Sequence, residues 1–540
     1  MTAGGPAALP LQARSFPGLT TPLARLAARC GDGAAAIDGA RRLTWSQLLA
    51  RIEALAGALQ ADGLVPGDHV ALLSRNSARM MEAIYGTLWA GGVACPLNTR
   101  LAEGDLRAQL AEAEPVILFF DDAAAETALA IRDAAPSLRQ LVHLSDGPHP
   151  AGTQGHDTYL ARSVRVPDVG RRGDDTAMLI YSGGTTGRSK GVMLSHGNFW
   201  ANAMNVQFAL RPDATSTYLQ VSPMFHVSAV ARMFASVING AAQVFIPQFR
   251  PDLVLSEIAR NRVAVTTLVP TMLRTLVEHL RRQESDIGSL RIISYGASPI
   301  DETLVRRMVE AFPKVDFWQA YGMTELSPTA TQLGPEWHRP GPGGMARLRS
   351  AGLPATLAEV MIGDPGDSPM PAGETGEVLV RGPMVMKGYW KNPRLTAEAL
   401  RNGWMHTGDL GYRDAEGFLY IVDRKDDMII SGGENIHSLE VENAIAAHPA
   451  VAQCAVVGVS DPHWGQRVHA VVVPRPGQAP SLEELQAHCR TLIAGFKVPR
   501  SLELRDDALP LSGINKVLKT ELRRQAEARQ AGAVDGTGAE

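Results

Sequence analysis

Cysteine is scarce in this sequence: there are four in 540 residues. Cys30, Cys95, Cys454 and Cys489 lie too far apart for a metal-binding spacing. They read as buried thiols rather than disulfides, which suits a reducing cytoplasm. Charge of one sign is also lacking. A net charge of −4 supplies no basic surface for nucleic acid. No apolar run is long enough to cross a bilayer, and the basic start and apolar stretch of a secretory signal are missing from the N-terminus. Peripheral membrane contact is left open. The rest is ordinary globular composition, 45% hydrophobic and 20% charged. The chain is too long for one core, so two or more domains are expected.

Residues 1 to about 20 are rich in Pro, Gly and Ala and read as a loose leader. Thr44-Trp45-Ser46-Gln47 has the form of a capping box. Leu48, Leu49, Ile52, Leu55, Ala56 and Leu59 follow it at helical spacing. Strands are expected over 70–73, 93–97 and 116–120, with helical stretches between them. That alternation predicts βαβ units and a parallel sheet. Near the C-terminus a small unit is expected, with helices over 439–447 and 482–493 and strands over 451–459 and 468–473. The tail from about Ala526 is polar and reads as disordered.

The densest stretch is 181–191, Tyr-Ser-Gly-Gly-Thr-Thr-Gly-Arg-Ser-Lys-Gly. Gly183, Gly184 and Gly187 let the backbone bend and turn N–H groups toward an anion. The hydroxyls of Ser182, Thr185 and Thr186 add donors, and Lys190 adds positive charge. This is chemistry for a polyphosphate; the bland alternative is a flexible surface loop. It is not a Walker loop, whose lysine enters a helix directly. Here an apolar run over 191–194 follows Lys190 and reads as a second strand. The helix starts only near Ser195 or Asn198.

Further stretches are weaker one at a time. His226, after Pro223-Met224-Phe225, is on composition alone a packed core histidine. Gly296, Ala297 and Ser298 form a strand-to-helix turn. In Gln319-Ala320-Tyr321-Gly322-Met323-Thr324-Glu325, the tyrosine can stack on adenine, the glycine allows close approach and the threonine can donate to phosphate. Glu325 can hold Mg²⁺, which takes its remaining ligands from phosphates and water. A capped helix start is the bland alternative. Asp409, after Thr407-Gly408, can accept hydrogen bonds from ribose hydroxyls, or sit in a surface turn. In 420–436 an apolar strand runs into alternating charges, a second strand and two glycines, which places a domain boundary at Asp426. Lys516, in a Gly/Asn turn, would without its neighbours be a solvated lysine.

Taken together and in this order, these stretches resemble the adenylate-forming family of acyl- and aryl-CoA synthetases, peptide-synthetase adenylation domains and luciferases. The loop departs from the family's Tyr-Thr-Ser-Gly-Thr-Thr-Gly-x-Pro-Lys-Gly at Ser182, Gly183 and Ser189. The resemblance implies an α/β fold. Its large N-terminal domain, 1–425, has parallel-type sheets layered with helices, and its small mobile α+β C-terminal domain is 426–540. It implies that Ser182, Gly183, Gly184, Thr185, Thr186, Gly187 and Lys190 hold the nucleotide together with Gly296, Ala297, Ser298 and the run Gln319, Ala320, Tyr321, Gly322, Met323 and Thr324. Asp409, Arg424 and Lys516 complete that set. Thr185 and Glu325 fall at the metal, and Lys516, His226, Thr185 and Glu325 are the expected catalytic residues. His226, Val227, Ser228, Ala229 and Gly322 fall at the acyl pocket, and Asp426 at the hinge. Gly432, Gly433, Glu434, Asn435 and Trp464 fall at the CoA tunnel. Asn515 replaces the glycine before Lys516, but asparagine tolerates the left-handed backbone of such a turn.

The implied cofactors are ATP, Mg²⁺ and coenzyme A as co-substrate. The implied partners are small molecules, with a homodimer left open. The implied function is ATP-dependent ligation of a carboxylic acid to CoA through acyl-AMP, in the cytoplasm. The pocket wall of His226, Val227, Ser228, Ala229, Gly296, Ala297, Ala320 and Gly322 is mostly small and shows no cation for a second charge. A medium or long fatty acid is therefore the first expectation, helped by the Gly-Gly-Thr-Thr-Gly loop. On that expectation kcat/KM rises from acetate through hexanoate to octanoate. The alternatives are a benzoate- or cinnamate-type aryl acid, or an acyl-AMP ligase that loads a separate carrier protein. A catalytically silent acyl-nucleotide sensor is disfavoured by Lys516, Glu325 and Asp409 occurring together.

Overall fold

Capping chemistry starts the first long helix where the sequence places it. The Thr44 hydroxyl accepts from the Gln47 amide at 3.2 Å, and the Gln47 side chain accepts from the Thr44 amide at 2.9 Å. The helix Trp45–Ala61 buries Leu48, Ile52, Leu55, Ala56 and Leu59. It packs on the helix Ala78–Trp89, which is buried along its whole length. The structure, a computed structural model, describes residues 16–145, 147–182, 189–210, 216–280, 285–298, 300, 302–341, 343–510 and 517–535. Of the expected loose leader, residues 16–20 are described, and Leu19 and Thr20 are buried. The Leu19 amide donates to His196 Nδ1 at 3.1 Å, which anchors that segment.

The chain divides into two compact units. The first runs to Val360 and takes back Val380–Met405; the second holds Met361–Leu379 and the chain from His406 onward. In the first unit a nine-stranded sheet is ordered Leu353–Pro354, Thr331–Leu333, Asp316–Tyr321, Ile292–Gly296, Val265–Leu268, Thr217–Gln220, Ala242–Phe245, Ala34–Asp38, Arg41–Thr44. Its interior strands are parallel and its outer ones antiparallel. The helices Pro251–Asn261, Pro270–Leu280 and Glu302–Ala311 cover one face through a core around Leu255, Leu273 and Met308. The helices His196–Leu210 and Val227–Asn239 cover the other through Ala203, Val206 and Ala235.

A second, eight-stranded sheet in the same unit is ordered Gly388–Tyr389, Lys190–Ser195, Thr176–Ser182, Val93–Pro96, His69–Leu73, Ile117–Phe120, Gln140–His143, Gln154–Gly155. Its strand His69–Leu73 is buried throughout, as a parallel strand covered on both faces should be. The expected parallel-type sheets layered with helices are therefore present.

Pairing in the second unit is mostly antiparallel, with Ser501–Leu504 parallel to Gly465–Pro474. Met405–Arg413 pairs with Leu419–Arg424, and Val451–Asp461 with Gly465–Pro474. The tail expected to be disordered from about Ala526 is instead a helix, Lys519–Asp535. Leu522 and Ala526 are buried against Val457, Val459 and Val471, so tertiary burial orders a segment whose composition is polar.

Candidate active site

The glycine-rich loop lies where two antiparallel strands meet. Thr176–Ser182 pairs with Lys190–Ser195, with Ser182 opposite Lys190 and Tyr181 opposite Gly191. The next helix begins only at His196, so the connection is strand to strand, as expected. Its start is fixed by a reciprocal cap, in which Ser195 N donates to Asn198 Oδ1 at 2.8 Å and Asn198 N to Ser195 Oγ at 3.0 Å. Gly183, Gly184, Thr185, Thr186 and Gly187 lie outside the described residues, as do Asn515 and Lys516.

Next to the hairpin sits Glu325, buried at 4% exposure in the one-turn helix Thr324–Leu326. A helix does start here, two residues after the strand Asp316–Tyr321, but Met323 at its N-cap gives it no side-chain cap. The Tyr389 hydroxyl donates to Glu325 Oε1 at 2.9 Å, and the Ser182 hydroxyl reaches the same oxygen at 3.4 Å. Lys190 Nζ lies 5.7 Å from the centre of the Tyr389 ring. Burial and then the Glu325 charge push the Tyr389 phenol well up, so it stays protonated and keeps donating.

Tyr389 was missed by the sequence reading, and long-range stitching explains why it ends up here. Asn198 Nδ2 donates to the Pro383 and Val385 carbonyls at 2.8 Å each, and Ser327 Oγ donates to Met384 O at 2.8 Å. Met386 N donates to Glu325 O at 2.9 Å, and Lys387 N to Met193 O at 3.0 Å. A short, mostly apolar segment is thereby tied to the Glu325 turn and to the strand carrying Lys190. The Gly388-Tyr389-Trp390 aromatic pair was the signal available in the sequence, but not its destination.

A buried carboxylate with two hydroxyl donors fits Mg²⁺ that takes its other ligands from phosphates and water. Among the described residues no group of three acidic, histidine or cysteine side chains forms a preformed metal cage. The glycines nearby are there for close approach. A Cβ on Gly322 would lie 1.9 Å from Pro328 O, and one on Gly296 would lie 2.1 Å from Ala320 O. Gly296 pairs with Ala320, and Tyr295 with Gln319, so the two stretches expected to hold the nucleotide are brought side by side. Ala297, exposed at φ 68°, occupies the left-handed region that favours glycine.

His226 stands at the N-cap of Val227–Asn239, half-buried, its ring 4.4 Å from that of Phe225. Val227 and Ala229 in the first turn are buried, with Ser228 half-buried between them. The turn leading into His226 is held by a residue the sequence reading did not single out. Asn76, 3% exposed, donates to Ser222 O at 2.9 Å and accepts from Met224 N at 2.7 Å. One side-chain amide thus clamps both ends of the turn.

In the second unit Asp409 lies inside the strand Met405–Arg413, not in a surface turn, and is 7% exposed. Arg424 faces it across the pairing, Nε to Oδ1 at 3.2 Å. Asp426 occupies the turn between Leu419–Arg424 and Ile429–Ser431, where one sheet hands over to the next. Ile429–Ser431 and Glu434–Ile436 form a hairpin with Ser431 opposite Glu434. Gly432 and Gly433 make its turn at φ 62° and 86°, as a tight hairpin needs. Gly432 N donates to Trp464 O at 2.8 Å, and the Arg500 guanidinium stacks on the Trp464 ring at 4.2 Å. The predicted glycines and Trp464 therefore come together, with Arg500 added by the fold. Asp423 accepts from Ser438 N and, at 2.9 Å, from Ser438 Oγ. Lys519 Nζ joins that group through Ser438 Oγ at 2.7 Å and Glu442 at 2.7 Å.

Comparison with known proteins adds the following. The model of the AMP-binding enzyme family matches residues 23–390, and that of the AMP-binding enzyme C-terminal domain matches 440–516. Feruloyl-CoA synthase from Amycolatopsis sp is 38% identical over 500 residues, 92% of this chain and 97% of that protein. Indoleacetate–CoA ligase from Aromatoleum aromaticum is 36% identical over 488 residues, 90% and 93% of the two chains. Among solved structures, o-succinylbenzoate-CoA synthetase from Bacillus subtilis with ATP and magnesium aligns with a TM-score of 0.82 at 31% identity, covering 93% of this chain and 98% of that one.

Proposed function

The chain belongs to the AMP-binding enzyme family, and from that premise we infer that its acid is one built on an aromatic ring. The enzyme is an ATP-dependent, AMP-forming acid–thiol ligase that joins a carboxylic acid to CoA. The observation that carries the aromatic acid is the pair of relatives at 38% and 36% identity, named for feruloyl-CoA and indoleacetate. They weigh toward the aryl alternative over the fatty-acid expectation. The small wall of Ala229, Gly296, Ala320 and Gly322 is compatible with a flat ring.

The chemistry follows from charge. A carboxylate resists attack by a thiol because oxide is a poor leaving group. In the first step a carboxylate oxygen attacks the α-phosphorus of ATP, the bond to the bridging oxygen breaks, and pyrophosphate leaves. In the second the CoA sulfur attacks the acyl carbon, and AMP leaves with the electron pair of the broken C–O bond. All first-step reactants are anionic, so positive charge must gather where oxygen charge develops. Lys516 and Lys190 are proposed to provide it. Glu325 and Thr185 would hold Mg²⁺, which when bound draws charge from the phosphate oxygens. Asp409 would accept from the ribose hydroxyls with Arg424 beside it, and His226 would stand at the reacting carboxylate. Gly432, Gly433, Glu434, Asn435 and Trp464 would line the thiol's approach, with Asp426 as the hinge that changes the small domain's orientation between steps. A cytoplasmic setting goes with this reading, since it supplies ATP and CoA and keeps thiols such as Cys95 reduced.

The test is a panel of acids read by pyrophosphate release and by CoA-thioester formation. Ferulate, indoleacetate or a benzoate should exceed hexanoate and octanoate in kcat/KM. A fatty acid that outperforms every aryl acid would overturn the aromatic assignment and leave the ligase chemistry standing.

A further inference from the structure

Arg232 is a charged side chain buried with no carboxylate partner among the described residues. It is 3% exposed, and its Nε and Nη1 have no hydrogen-bond partner among the described residues. Native interiors rarely leave a guanidinium so placed, because a buried charge is stable only when paired. Its position ties it to the acyl pocket. On the helix Val227–Asn239, Arg232 follows Ser228 and Ala229 by one turn and precedes Ala235 by one turn, so these residues form a single stripe. Ala235 packs on Tyr218, Val265, Ile292 and Trp318, which identifies the sheet face the stripe meets.

That face is the one bearing the small pocket wall. Alternation along Ile292–Gly296 and Asp316–Tyr321 puts Gly296 and Ala320 on the same side as Ile292 and Trp318. Alternation along Val265–Leu268 puts Thr267 on that side as well, with its side chain beside the Tyr218 phenol. The Tyr218 phenol is close enough to interact with Arg232 electrostatically. A cation and two hydroxyls thus collect between helix and sheet, beyond the small residues and away from His226.

We propose that Arg232 determines substrate specificity by receiving an acceptor oxygen, of a carboxylate or a phenol, at the far end of the acid. This rests on the acid–CoA ligase reading. Six residues of helix separate His226 from Arg232, a rise of about 9 Å. The arginine side chain leans back toward the helix start, which shortens the span. A span of that order suits a ring with a short spacer and ends a long alkyl chain on a charge.

The experiment compares 3-phenylpropenoate with its 4-hydroxy and 4-carboxy derivatives and with octanoate, in wild type, Arg232→Met and Arg232→Lys, reading kcat/KM for CoA-thioester formation. Wild type should favour an oxygen-bearing acid over the parent by about tenfold or more, the worth of a charge-assisted hydrogen bond. The hydroxy and carboxy arms say which oxygen is read. Arg232→Met should collapse that ratio and Arg232→Lys should restore part of it. The Tm of ligand-free Arg232→Met should equal or exceed that of wild type, because a buried charge with two unsatisfied donors among the described residues is removed. A preference unchanged by Arg232→Met, or equal losses for all acids with a lowered Tm, would overturn the assignment while leaving the ligase intact. Absence of thioester from every acid would overturn both.

Discussion

Among the described residues the Tyr389 hydroxyl is the closer of two donors to Glu325, at 2.9 Å against 3.4 Å for Ser182. Removing it leaves a buried carboxylate oxygen short of a partner, which costs about 1–3 kcal/mol. Tyr389→Phe should therefore slow acyl-AMP formation by roughly ten- to a hundredfold, with thioester formation from supplied acyl-AMP changed less. Pyrophosphate release under single turnover measures the first and thioester accumulation the second. Unchanged pyrophosphate release would mean that Tyr389 does not position Glu325. At this scale the sequence singled out residues that sit inside a dense motif, as Glu325, Ser182 and Asp409 do. It was silent on Tyr389, Asn76 and Arg232, whose meaning lies in partners far away along the chain.

Among the elements, the hairpin over 429–436 separates two kinds of glycine. A Cβ on Gly432 would come within 2.7 Å of the Trp464 ring, whereas one on Gly433 would meet nothing within 4 Å. Both hold positive φ, so either alanine carries a strain of about 1–2 kcal/mol, but Gly432→Ala must also displace Trp464. Gly432→Ala should thus slow thioester formation from preformed acyl-AMP more than Gly433→Ala, and both should spare adenylation. Equal effects of the two variants on thioester formation would remove Trp464 from the thiol's path. Element identity was readable where local chemistry decides it: the Thr44–Gln47 box starts its helix as expected. It was not readable over Lys519–Asp535, where burial of Leu522 and Ala526 orders a helix that composition alone did not suggest.

Across the molecule, the fully buried helix Ala78–Trp89 carries Glu82 into the interior of the first unit. Burial alone would raise its pKa, but His156 and then Arg51 overrule it and hold the carboxyl at about 2. The folded value is below the unfolded value of 4.5, so its contribution is present above pH 4.5 and lost as pH falls toward 2. Glu82→Gln should destabilise the protein at pH 7 by on the order of 3 kcal/mol, with the gap to wild type closing below pH 4.5. Denaturant midpoints across pH 2–7 provide the check, and a gap that stays constant would show that the Glu82 charge contributes nothing.

The order of chemistry-bearing stretches, the alternation of strands and helices and the class of reaction were already written in the chain, because glycine placement, capping and apolar periodicity act over a few residues. Which stretches meet was settled by folding. Parallel strands pair across long crossovers, so Gly296 finds Ala320, Tyr389 finds Glu325 and Asn76 finds Met224 only when the sheets assemble. The sequence pointed to an apolar acid because the wall of His226, Val227, Ser228, Ala229, Gly296, Ala297, Ala320 and Gly322 is mostly small and holds no cation. The assembled sheet and helix bury Arg232 one turn beyond Ala229, where local periodicity could not distinguish a solvated arginine from one enclosed between layers.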